Sequence, residues 1–252
     1  MKAPLSLPQI AARLEALEET IIMRFIDRAQ FAANPDAYAA GRSGFEGAGD
    51  ESLFDLRLWA QESMDAQFGR YMVPEERPVS SNLPAPKREV HLPPLPLCVT
   101  NYEIVSRSVS IRDAYLECLP SLCAGGDDGQ YGSAVEHDVY AIQAIARRVH
   151  YGALYVAEAK FRADPGPYTE AALAGEDDRL LRMLTRPEVE QGIVERLRQK
   201  VEDLQSQVNT RVRKVIGAEV IIRFYENTVI PLTKSGQISY LRERAKLSED
   251  TA

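Results

Sequence analysis

Arg148 and Lys160 are the side chains best placed to do chemistry in this chain. They lie along one strongly helical stretch, ARRVHYGALYVAEAKF at 146 to 161. A pair of cations held on one helix suits a small dianion. Val135, Val139, Ile142, Ile145, Val149 and Val156 recur at three- and four-residue steps from before this stretch to near its end, so one face is expected to be buried in a helical core. Cations at the edge of such a core need partners, because burying an unpaired ammonium or guanidinium is costly. Acidic side chains on neighbouring helices would serve, and so would a bound anion.

Further polar groups recur at helical spacing. Thr233 and Gln237 are four residues apart and share a face, as do Arg186 and Glu190. Nothing resembles an activated nucleophile or a metal site: His91, His137 and His150 are scattered, and no Ser or Cys sits in a motif such as GxSxG. His150 reads as a core or interhelical residue. The Gly-rich AGGDDGQYG at 124 to 132 lacks GxxxxGK[ST] and a preceding strand, so it reads as a loop rather than a phosphate cradle. No metal or organic cofactor is expected.

The 252 residues are 45% hydrophobic and 27% charged, with a formal net charge of −7. That is ordinary for a soluble globular protein and offers nothing to nucleic acid or an anionic membrane, so any cationic site must be local. Cys98, Cys118 and Cys123 are odd in number and lack metal-ligand spacing, which points to reduced thiols in a cytoplasmic protein. The N-terminal MKAPLSLPQIAARLEALEE lacks the pattern of a cleaved signal, and no apolar run is long enough to span a bilayer.

The elements that must position these side chains are helices. Ser6 to about Phe31 repeats apolar residues at Ile10, Leu14, Leu17, Ile21 and Phe25, with Glu15, Glu18 and Glu19 assigned to the wet side. A second helix is expected from about Glu51 to Met72, with Trp59 in the core. Seven prolines between Pro74 and Pro96 exclude helix interior and imply an extended surface crossover. Asn101 to Leu119 reads as helix. Ser133 and Glu136 form a capping box for the long helix, and Thr185 to Glu188 repeats the device before a helix of about 187 to 207, with Pro187 in its first turn. Helices at about 209 to 228 and 232 to 245 follow, separated by a kink or break at Pro231. The fold class is all-α: one domain over 1-252, a multi-helix bundle with a Pro-rich crossover at 74-96.

Five segments resemble the all-helical chorismate mutases of the larger fungal and plant type: ETIIMRFIDRAQF (19 to 31), YGSAVEHD (131 to 138), ARRVHYGALYVAEAKF (146 to 161), VEQGIVERL (189 to 197) and FYENTVIPLTKSGQISYLRER (224 to 244). The resemblance covers most of the chain, and its third and fifth segments are the most specific. It implies isomerisation of chorismate to prephenate for phenylalanine and tyrosine synthesis, a unimolecular pericyclic reaction that needs no cofactor or covalent intermediate. It further implies a homodimer. Arg148 would clamp a substrate carboxylate, Lys160 would donate to the ether oxygen, Glu190 would accept from the ring hydroxyl, and Thr233 would share the pocket. Gln237 stands where the fungal and plant members usually carry a glutamate that must be protonated; an amide donates without titrating.

The sequence departs from the family in three places. A substrate-binding arginine on the first helix is matched by Ala11, with Arg13 facing away. An asparagine near the acidic pocket residue is matched by Arg186, a cation that could replace the lost contact. One extra residue lies between Arg148 and Lys160. Twelve α-helical steps would set the two about 120° apart, against about 20° for eleven, and a π-bulge near Gly152 would absorb the difference. The family's site for aromatic amino acid effectors maps onto Gly132 and Ser133, but its other parts match poorly. A mutase of isochorismate or aminodeoxychorismate, and a non-catalytic regulatory homologue, are the alternative readings.

Overall fold

A computed structural model describes residues 5–249 of the chain. Its helices are α1 (Leu7–Arg28), α2 (Leu53–Gln67), α3 (Ser108–Leu122), α4 (Tyr131–Tyr151), α5 (Ala157–Ala163), α6 (Pro165–Leu173), α7 (Asp177–Leu184), α8 (Pro187–Gln205), α9 (Ala218–Phe224) and α10 (Ile230–Glu249). The architecture is all-α, and the described residues contain no strand beyond an isolated bridge between Ala32 and Ala124. No described helix is long and apolar enough to cross a membrane.

Two apolar clusters build the interior. One gathers Ile21, Phe25, Phe54, Tyr115, Ile142, Leu197 and Phe224 from α1, α2, α3, α4, α8 and α9. The other gathers Leu154, Phe161, Tyr168, Leu180, Tyr240 and Leu241 around α5, α6, α7 and α10. A continuous helical rod links them, because α4 passes into α5 through a π-turn at Gly152–Val156. The extra residue is absorbed where the sequence predicts it. A second π-turn, Tyr225–Val229, joins α9 to α10. Pro231 therefore sits in the first turn of α10 inside an unbroken rod, and the widened turn before it accommodates a ring that would clash in a regular ladder.

Between 73 and 101 the chain carries no helix, as the prolines demand. Side chains fasten this crossover: the Glu62 carboxylate accepts the Val79 and Ser80 N–H groups at 2.8 and 2.7 Å, and Ser108 donates to the Arg77 carbonyl at 2.8 Å.

Several local expectations need correction. Trp59 is 52% exposed, because α2 buries Phe54, Leu58, Gln61, Glu62 and Ala66 and Trp59 stands one 100° step off that face. The long helix starts at Tyr131, so Ser133 and Glu136 lie within it, and neither forms the capping box. Asp128 instead holds the preceding turn by accepting the Gln130 and Ala32 N–H groups at 2.8 and 2.7 Å, while Glu136 receives Arg57 at 2.8 Å. Thr185 does not cap α8; its hydroxyl returns to the Leu181 carbonyl at 2.8 Å and closes α7. Tyr102–Val105 form a separate 3-10 turn and residues 106 and 107 are not helical, so α3 begins only at Ser108. Residues 209 to 217 are not helical: Asn209 takes the Arg211 N–H at 3.1 Å, and Gln205 brackets the Ile216 backbone at 2.8 and 3.0 Å, so local side chains replace the helical ladder.

Candidate active site

At the junction of the two clusters lies a cavity of about 310 Å³. Four stretches of chain line it. α1 contributes Leu7, Ile10, Ala11 and Leu14; the rod contributes Arg148, Gly152, Val156 and Lys160; the entry to α8 contributes Leu184, Arg186, Val189, Glu190 and Ile193; α10 contributes Ile230, Thr233, Lys234 and Gln237. The rod residues fall in four-residue steps. A regular α-helix would carry Lys160 out of line with Arg148, and the π-turn between them restores the register.

The six predicted pocket residues, Arg148, Lys160, Arg186, Glu190, Thr233 and Gln237, all line this one cavity. Arg148 is buried, and its contacts are weak. Its guanidinium lies 3.4 Å from the Thr233 hydroxyl and 3.9 Å from the Glu18 carboxylate, and its Nε has no hydrogen-bond partner. Thr233 in turn donates to the Val229 carbonyl at 2.7 Å. Lys160 donates from Nζ to the Leu184 carbonyl at 2.8 Å. Burial, then the nearby charges of Arg186 and Lys234, pull its pKa down to about 8, with Glu190 opposing them. Gln237 donates to the Gly152 carbonyl at 3.2 Å. Cations on the cavity wall outnumber carboxylates four to one, so the wall favours an anion with more than one charge.

Two polar residues of this region escape a reading by residue type. Glu18, assigned to the wet side of α1, is fully buried. Arg196 grips it at 2.9 and 3.0 Å and Lys200 lies 3.8 Å away, so most of its charge is answered before Arg148 is reached. Its position four residues after Leu14 and three before Ile21 was the available signal. Lys234 pairs with Glu190 at 2.7 Å, and its place beside Thr233 could have marked it.

Other predicted residues lie elsewhere. Gly132 and Ser133 are exposed in the first turn of α4, about 24 Å along the axis from Arg148. Arg70, just past the end of α2, is held by Glu76, Asp65 and Gln143 at 3.0, 3.1 and 2.7 Å. Arg147 points away from the cavity to Glu76 at 3.3 Å. His150 is a core residue: it accepts the Arg107 N–H at 2.9 Å and faces the Glu75 carbonyl through its other nitrogen at 3.2 Å, and burial pushes its pKa down to about 3. Among the described residues Cys98, Cys118 and Cys123 form no disulfide.

An all-helical bundle that draws a cation-rich, amide-bearing cavity together from four helical segments defines a helical enzyme for a small polyanion. No protein-family model matches the chain. It is 34% identical to chloroplastic chorismate mutase 1 of Zea mays over 254 residues, covering 95% of this chain and 79% of that protein. It is 32% identical to the chorismate mutase of Schizosaccharomyces pombe over 246 residues, covering 95% and 96%. The crystal structure of a Candida albicans chorismate mutase in complex with L-Trp superposes with a TM-score of 0.87 at 31% identity, covering 96% of this chain and 92% of that one. The chain belongs to the chorismate mutase family of the fungal and plant type.

Proposed function

We propose that the cavity binds chorismate and holds it in the compact conformer from which it rearranges to prephenate. The chain is an isomerase of aromatic amino acid synthesis, and its reaction breaks one C–O bond while forming one C–C bond. Such a step needs positioning and stabilisation of developing charge, and no nucleophile. The observation that carries the site assignment is that five side chains predicted from separate segments, Arg148, Lys160, Glu190, Thr233 and Gln237, converge on one cavity.

In this reading Arg148, with Thr233 beside it, takes one substrate carboxylate. Its weak internal contacts leave it able to do so. Lys160 and Gln237 donate to the ether oxygen, where negative charge grows in the transition state. Glu190, oriented by Lys234, accepts from the ring hydroxyl. Arg186, exposed and lining the same cavity as Ala11, takes the second carboxylate in place of the absent arginine. The naming of the relatives favours chorismate over isochorismate or aminodeoxychorismate. We read the protein as a single domain that pairs into a cytoplasmic homodimer. Gly132 and Ser133 would edge an effector surface for an aromatic amino acid, and added Phe, Tyr or Trp would then alter the rate.

The direct test is loss of chorismate ultraviolet absorbance with purified protein, with prephenate identified as product. Turnover of isochorismate or aminodeoxychorismate in preference to chorismate would overturn the substrate, and absence of any turnover would overturn the enzyme.

A further inference from the structure

The π-turn does more than keep two cations in register. It brings a backbone carbonyl against a side chain proposed above to act on the substrate. The Gln237 amide, 6% exposed, donates from Nε2 to the Gly152 carbonyl at 3.2 Å. Gly152 opens the π-turn, and an extra residue there breaks the regular i→i−4 ladder, so a carbonyl can turn toward a donor from another helix. Two glycines permit the approach. A Cβ on Gly152 would lie 2.8 Å from Thr233 Cγ2, and one on Gly236 would lie 2.7 Å from Ala153 Cβ. The rod and α10 therefore touch almost backbone to backbone at the inserted residue.

We infer that the Gly152 carbonyl is a positioning group for Gln237: it fixes which way the amide faces and aims the second N–H of Nε2 at the substrate. An amide can present either oxygen or nitrogen to a cavity. A carbonyl oxygen at 3.2 Å is compatible with the nitrogen alone, because two oxygens would repel. The ordering is thus done by the fold before substrate arrives, which is what a donor to developing charge requires. The extra residue near Gly152 and the glutamine at 237 then work as one device. A carboxyl at 237 would have to be protonated to face the same carbonyl, and its single proton could not serve both the carbonyl and the substrate. This inference rests on the reading of Gln237 as a donor to the ether oxygen.

The charged groups facing the cavity are Arg148 and Lys160 on the rod, Arg186 and Glu190 at the head of α8, and Lys234 on α10, while α1 contributes none. Their balance is cationic and lowers the pKa of any carboxyl placed among them, so a rise must come from desolvation or from the carbonyl. Comparing Gln237→Glu in the native rod and in a rod lacking Ala153 separates these two. Deleting Ala153 restores eleven steps, keeps Arg148 and Lys160 about 20° apart and draws the carbonyl back into a regular ladder.

The deletion should lower kcat about fivefold, the scale of one hydrogen bond, with KM little changed. The midpoint of the kcat/KM profile of Gln237→Glu should lie at least about one pH unit higher in the native rod than in the shortened one. Equal midpoints would overturn the positioning role. Gln237→Leu separates that failure from failure of the underlying reading: it should lower kcat by roughly a hundredfold, and an unchanged kcat would sink the donor role itself. If the shortened chain does not fold, side-chain amide spectra of the wild-type protein decide. One Gln237 amide proton should exchange with solvent on the order of tenfold more slowly than its twin, and equal rates would overturn the inference.

Discussion

Two arginines are buried among the described residues, and they are treated in opposite ways. Arg28 has no exposed surface and is fully answered: its Nε donates to Asp138 at 2.7 Å, its other nitrogens reach the Ala32 carbonyl at 2.9 Å and the Tyr38 hydroxyl at 3.1 Å, and Asp138 also receives Tyr38 and Tyr115 at 2.5 and 2.9 Å. Burial works against its charge, yet Asp138 and the surrounding groups raise its pKa above the ordinary value. Arg148 is nearly as buried, but its contacts are 3.4 and 3.9 Å long and its Nε is unpaired. Glu18, its carboxylate neighbour, is already taken by Arg196. The first arginine closes a network within the fold. The second lines a cavity with its hydrogen-bonding capacity largely unused, which is why it is proposed above to take a substrate carboxylate.

Substitution should separate the two roles, and the largest effect is expected at Arg28. Arg28→Met leaves Asp138 buried without its cation and should cost about 3–5 kcal/mol in a urea melt, while the folded fraction keeps its kcat. A loss of kcat without loss of stability would break the contrast. Next in size, Lys160→Ala should lower kcat about a hundredfold, the scale for one preorganised donor, while leaving the urea midpoint near that of the wild type. Near wild-type turnover would remove the catalytic meaning of the cavity.

The ionisation of Lys160 gives a third test. With an amide at 237, activity should stay level from mildly acidic pH until Lys160 begins to lose its proton near its pKa of about 8. From there kcat/KM should fall, about tenfold for each further pH unit. The stability change runs the other way: a lysine pKa depressed in the folded state means the unfolded chain binds more protons between about 8 and the ordinary lysine value near 10.4, so this residue's contribution to stability rises with pH across that window. A kcat/KM profile that drops steeply between pH 6 and 8 would contradict the rate expectation, and a Lys160→Met variant with the same pH dependence of stability as the wild type between about pH 8 and 10 would contradict the other.

The smallest effect is expected at the exposed Arg186. Arg186→Ala should raise KM several-fold, on the scale of about 1 kcal/mol for an exposed ion pair, and Ala11→Arg in that background should recover part of the loss. Because Arg186 helps to depress Lys160, the same substitution should move the alkaline limb of the profile to higher pH. A ligand-bound structure with Arg186 turned to solvent would remove the compensation between positions 11 and 186.

The sequence was most legible where period and chemistry coincide. The stripe on α1, the run from Val135 to Val156 and the prolines of 74 to 96 each map onto the structure because helical period and missing N–H groups act locally. The π-turn at Gly152 was legible through the family resemblance, which implied that Arg148 and Lys160 share a face and that one residue more than the family has lies between them. α6 and α7 went unread, being only nine and eight residues long, too short for period to register. The false helix at 209 to 217 shows the converse: its residues carry a passable pattern, but Asn209 and Gln205 satisfy the backbone in another way.

By itself, then, the sequence determined that this chain is a helical bundle, that Arg148 and Lys160 share a rod, and which side chains could serve a dianion, because propensity, period and hydrogen-bonding type belong to residues one at a time. Only the tertiary structure decided that Glu18 is buried and gripped by Arg196, that Lys234 pairs with Glu190, that Trp59 faces outward and that the Gly152 carbonyl meets Gln237. Each of these depends on how closely two distant segments approach and which neighbour reaches a charge first, and packing of the whole chain sets both.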